Sequence, residues 1–127
     1  MEKNAFIVEL PNRPGSLAML AEAIAERGIN VTGAAGATAG DVGTLAFTTD
    51  NEGATRGVLG DRGWVFREVP VVTASLEDVP GTLASAARRL GDAGVNIETM
   101  FPSGMDGSKV RMAFGVDNAD AASRALG

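Results

Sequence analysis

The chain repeats itself, and that constrains its fold more than any other feature. Residues 10–17 read LPNRPGSL and residues 76–83 read LEDVPGTL. At the same spacing of 66, Gly28 recurs as Gly94 and Asn30 as Asn96. Past the glycine-rich stretch Gly33–Gly43 the spacing becomes 67, and Ala46-Phe47 recurs as Ala113-Phe114 and Asp50-Asn51 as Asp117-Asn118. A one-residue change inside a loop explains the shift. Self-similarity at a fixed register is the mark of a duplicated structural unit, here residues 1–69 and 70–127.

Periodicity gives the content of each unit. Phe6, Val8 and Leu10 alternate as on a strand with one buried face. Leu17, Leu20, Ala21 and Ile24 fall on one helical stripe behind Pro14-Gly15, and Gly28 suits the residue after a helix end. Strands follow over about 29–35 and 43–49. Asp50-Asn51 then caps a short helix to about Leu59, and Trp64–Val69 forms a fourth strand. The order is β-α-β-β-α-β, a ferredoxin-like unit of the α+β class. The second copy ends at Gly127, after its second helix, so it lacks a fourth strand of its own. The expectation is seven strands and four helices, with a bend at Pro70 because proline lacks an N–H. The expected core is Phe6, Val8, Leu17, Leu20, Ile24 and Phe47 in copy one. In copy two it is Ala74, Leu83, Leu90, Ile97, Met112 and Phe114. Ile7 and Trp64 are expected on the open sheet face.

Composition removes several function classes. The chain has 127 residues, no cysteine, no histidine and no tyrosine. Disulfides, thiolate nucleophiles, the usual zinc sites and a histidine base are therefore excluded, and no cofactor or metal is expected. A net charge of −5 argues against nucleic acid and anionic membranes. The N-terminal segment carries no signal-like apolar run, and no stretch has the roughly 20 apolar residues that span a bilayer. A soluble cytoplasmic protein is expected.

The repeated loop joins the first strand of each unit to its first helix. Proline is well placed at a helix start, where its missing N–H has no partner to lose. The N–H groups of Gly15, Ser16 and Leu17 are expected to be free to meet an anion such as a carboxylate. Asn30 offers donor and acceptor together at the start of the next strand. A free α-amino acid suits that chemistry. The same residue types also serve as caps and turns, and the residues alone leave both readings open. The stretch GAAGATAGDVG reads as a plain hairpin; no Gly-Lys-Ser/Thr follows it, so it is not a phosphate loop.

The pattern NRPGSL…RGIN, repeated as DVPGTL…AGVN, resembles the ACT domain, a small-molecule sensor of amino-acid metabolism, over nearly the whole chain. The resemblance implies two ACT units in tandem, side by side in one antiparallel sheet with helices on one face. It implies a non-catalytic regulatory protein that binds a free amino acid between the units. It also implies a first site of Asn12, Arg13, Pro14, Gly15, Ser16 and Leu17 with Asn96, Met100 and Phe101. The second site would comprise Asp78, Pro80, Gly81, Thr82 and Leu83 with Asn30 and Ala34. The first is the expected better pocket, taking an apolar or aromatic side chain against Met100 and Phe101. In serine-sensing members a histidine stands where this chain has Leu10 and Leu76, which argues against serine. The rival is a protein-interaction subunit of a separate metabolic enzyme. An acylphosphatase-like hydrolase fits poorly, because Val79 replaces Arg13 in the second copy. Exposed strand edges predict a homodimer.

Overall fold

The computed structural model describes residues 3–127. Its elements are β1 (Lys3–Pro11), α1 (Ser16–Glu26), β2 (Val31–Ala39), β3 (Val42–Thr49), α2 (Glu52–Asp61), β4 (Phe66–Glu77), α3 (Thr82–Asp92), β5 (Ile97–Asp106), β6 (Lys109–Val116) and α4 (Ala119–Leu126). The class is α+β, with these six antiparallel strands in one sheet and four helices. The count is six rather than seven because the expected fourth strand of copy one and first strand of copy two are one strand, β4. Pro70 lies inside it without ending it: the ladder to β6 begins at Val71, opposite Gly115, so Pro70 owes it no donor.

The chain forms two compact units. The first is Ala5–Glu68; the second is Val69–Gly127 together with the start of β1, Lys3 and Asn4. In the first, the strand order is β2-β3-β1, followed by the opening residues of β4. The second runs β5-β6-β4, with the start of β1 as the other neighbour of β4. Lys3 and Asn4 thus flank β4 within the second unit.

The first core gathers Phe6, Val8 and Phe47 from the sheet, Leu20, Ala23 and Ile24 from α1, and Val58 and Leu59 from α2. Phe6 and Phe47 stack with ring centroids 5.8 Å apart. Burying one such side chain contributes about 1.5–3 kcal/mol. Trp64 packs against this core rather than standing on the open face. The second core holds Ala86, Leu90, Val95, Phe114, Val116 and Ala122, with Ala74, Ile97, Met100 and Met112 packed against it.

Leu17 and Leu83 depart from the expected cores, at 55 % and 42 % exposed. Each lies in the first turn of its helix. Helical side chains lean toward the N-terminus, so a first-turn leucine reaches past the helix end instead of down onto the sheet.

The repeat holds at the level of single bonds. Asn51 Oδ1 accepts from Ala54 N at 3.0 Å, and Asn118 Oδ1 accepts from Ala121 N at 3.0 Å, capping α2 and α4. Gly15 and Gly81, which precede α1 and α3, take φ 90° and 94°. That left-handed region is open to glycine and costly for other residues.

Candidate functional site

Within each unit, a cleft opens beside the loop that precedes the first helix. In the first unit it measures about 430 Å³. Leu10, Pro11, Asn12, Arg13, Ser16 and Leu17 form one side, and Gly36–Thr38 of β2 with Gly43–Leu45 of β3 form the other. The second-unit counterpart measures about 320 Å³ and runs along Leu76–Leu83, with Val110 and Met112 of β6 opposite.

The loop is held over the first cleft by Asn12. Its backbone N–H donates to Asp41 O at 2.8 Å, and its side-chain Nδ2 donates to Gly40 O at 2.9 Å. Asn12 therefore braces the turn between β2 and β3, and its side chain does not cap α1. Gly33–Gly43 forms that hairpin, with Gly40 at φ 62° in its turn. Ser16 N–H donates to Arg13 O at 3.3 Å, so it is not one of the free donors expected at this helix start. Those of Gly15 and Leu17 have no partner among the described residues. In the second unit the Thr82 hydroxyl donates back to Glu77 O at 2.7 Å and fastens the loop there.

Asn30 and Asn96 are pinned through their backbones. Asn30 N–H donates to the Asp50 carboxylate at 2.9 Å, and Asp50 N–H returns a bond to Asn30 O at 3.0 Å. Asn96 and Asp117 repeat the pair at 2.9 and 3.2 Å. Both asparagine side chains are exposed. This exchange ties the start of β2 to the end of β3, and of β5 to β6, and leaves the amides outward.

The remaining expected site residues divide by unit. Asn12, Arg13, Ser16 and Leu17 line the first cleft, with Pro14 and Gly15 in the same loop. Asp78, Pro80, Gly81, Thr82 and Leu83 line the second. Ala34 is exposed on β2, opposite Phe47. Met100 packs against the second core, and Phe101 is 1 % exposed opposite Ala113. Sequence reasoning missed the floor of the first cleft: Gly36 and Gly43 lie in strands, where a Cβ would meet Leu45 Cδ1 at 3.4 Å and Thr38 Cγ2 at 3.3 Å respectively. The signal available is the density of glycine and alanine in GAAGATAGDVG, a stretch that otherwise reads as a plain hairpin.

Among the described residues, no group of three or more His, Cys, Asp or Glu could hold a metal ion. No helix among them is long and apolar enough to cross a membrane.

Residues 5–58 match the family model of the ACT domain. That match covers most of the first unit, and the second repeats its elements, caps and loop. Among solved structures, protein BT0572 from Bacteroides thetaiotaomicron is 25 % identical, with a TM-score of 0.82 over 99 % of this chain and 87 % of that one. The regulatory subunit of aspartate kinase from Thermus flavus is 26 % identical, with a TM-score of 0.70 over 99 % and 92 %. Its counterpart from Thermus thermophilus, in a ligand-free form, is 24 % identical at 0.72 over 98 % and 88 %, a likeness of fold. No curated protein matches the sequence.

Proposed function

We propose that this protein is a non-catalytic regulatory sensor that binds a free amino acid and acts in the cytoplasm. The observation that carries the reading is the loop Asn12–Leu17, braced open over a cleft inside the segment that matches the ACT family. The likeness at 26 % identity to a regulatory subunit of aspartate kinase supports it. In this reading the chain is the regulatory subunit of a separate enzyme of amino-acid metabolism. The chain works as a homodimer. β2, bonded only to β3 among the described residues, presents a nine-residue edge, VTGAAGATA, without charge or proline.

Thermal denaturation against the twenty amino acids, one at a time, tests the sensor reading. A ligand at 100 times its Kd stabilises the fold by about 2.7 kcal/mol. Calorimetry of Asn12→Ala then tests the loop, since loss of a hydrogen bond to a charged ligand group weakens binding by about ten- to a hundredfold. Unchanged affinity returns Asn12 to its bracing role. A second reading, a pure interaction subunit, is favoured if no amino acid shifts the transition while a native enzyme co-purifies. Sedimentation as a monomer at micromolar concentration removes the dimer.

A further inference from the structure

We infer that the two clefts differ in kind, so that one chain takes one ligand, in the first unit, and that this ligand is an amino acid without a cationic side chain. The inference rests on the sensor reading and deepens it. In the first cleft, Arg13 is the one charged residue of the lining. It has no acidic partner among the described residues. An unpaired guanidinium on a mostly apolar wall fits a carboxylate, which it can grip with two parallel hydrogen bonds. The amide of Asn12 and the hydroxyls of Ser16, Thr38 and Thr44 are the neutral groups left to meet an ammonium.

The charge changes in the second unit work against that ligand. Val79 stands where Arg13 does, and Glu77 and Asp78 replace Pro11 and Asn12. Two carboxylates and no guanidinium repel an anionic end group. On the floor, Val110 replaces Gly43 and Met112 replaces Leu45. The cleft is smaller accordingly, about 320 against 430 Å³. Lysine and arginine gain nothing in the first cleft, where a second cation would face Arg13 with no acid to balance it.

Isothermal titration of the whole protein with each of the twenty amino acids decides the matter. The expected result is one ligand per chain, with neutral side chains binding more tightly than lysine or arginine. Arg13→Val, which copies the second unit and removes an exposed side chain, should weaken binding at least tenfold while the thermal transition of the free protein stays unchanged. Val79→Ala should leave the affinity as it is. Two ligands per chain, full affinity in Arg13→Val, or preference for lysine would overturn the inference and leave the sensor reading standing. If none of the twenty binds, both fall together.

Discussion

The two hairpins, β2–β3 and β5–β6, descend from one pattern and have diverged in opposite directions. Their last strands match closely: Phe47 and Phe114 are both fully buried, and Asp50 and Asp117 bond the same way. Their other strands differ. Register through the hairpins sets Ala34 opposite Phe47 and Met100 opposite Phe114, then Ala35 opposite Ala46 and Phe101 opposite Ala113. Small residues keep the first hairpin thin beside its cleft, whereas large ones commit the second to packing. β5 also carries Pro102, Glu98 and two register shifts, devices that blunt a sheet edge. β2 has one shift and neither proline nor charge. One copy thus has a hairpin filled by large side chains, and the other a thin hairpin beside its cleft.

The largest expected effect probes what the copies share. Phe47→Ala and Phe114→Ala should each destabilise by about 3–5 kcal/mol in urea denaturation, because both rings fill closed cores. A loss under 1 kcal/mol in either one would mean that its core can collapse around the gap and that the two are not equivalent.

An intermediate effect should separate them. A Cβ at Gly115 would stand 2.6 Å from Thr99 Cγ2 and 2.9 Å from Val69 Cγ2, both on stiff β-branched side chains. The first unit has Thr48 at the corresponding place, bonded through its hydroxyl to Thr32 at 2.7 Å. Gly115→Ala should therefore cost about 1–3 kcal/mol of overpacking. Thr48→Ala should cost about 0.5–1.5 kcal/mol, the range for one lost hydrogen bond. Equal losses, read from the same denaturation curves, would erase this distinction.

The smallest effect is electrostatic and confined to the second unit. The Ser75 hydroxyl donates to the Asp106 carboxylate, and Arg111 pairs with it at 3.1 Å; together they hold its pKa below the ordinary carboxylate value. A depressed pKa stabilises the folded state above the unfolded value, and that stabilisation disappears as pH falls through the folded one. Below about pH 4, wild type should lose stability slightly more steeply than Asp106→Asn. Parallel acid-denaturation profiles would show the cluster to be without consequence. At the equivalent position the first unit has Ala39 and nothing to titrate.

Much of this was legible in the chain. Identities such as Gly15/Gly81 and Asn51/Asn118 encode backbone geometry directly: a left-handed turn before a helix and a side-chain cap. Alternation placed Phe6, Val8 and Phe47 correctly, because a strand with one buried face has only one way to point. Leu17 misled, since the helical period cannot say where the first turn ends and the sheet begins. Asn12 was legible as a loop residue, yet its bond to Gly40 was not, because it depends on where a hairpin 28 residues away turns back. The place of Lys3 and Asn4 in the second unit was invisible for a different reason. Self-comparison aligns copy with copy and says nothing of a segment of the first copy that packs with the second.

The place of Lys3 and Asn4 beside β4 bears on how the second unit closes. From Asn4 to Val69 is roughly half of the 127 residues, so this part of the sheet forms only when a distant segment returns. Such long-range closure slows folding. It also leaves an unpaired β4 flank exposed in the interval, when chaperones or neighbouring nascent chains could reach it.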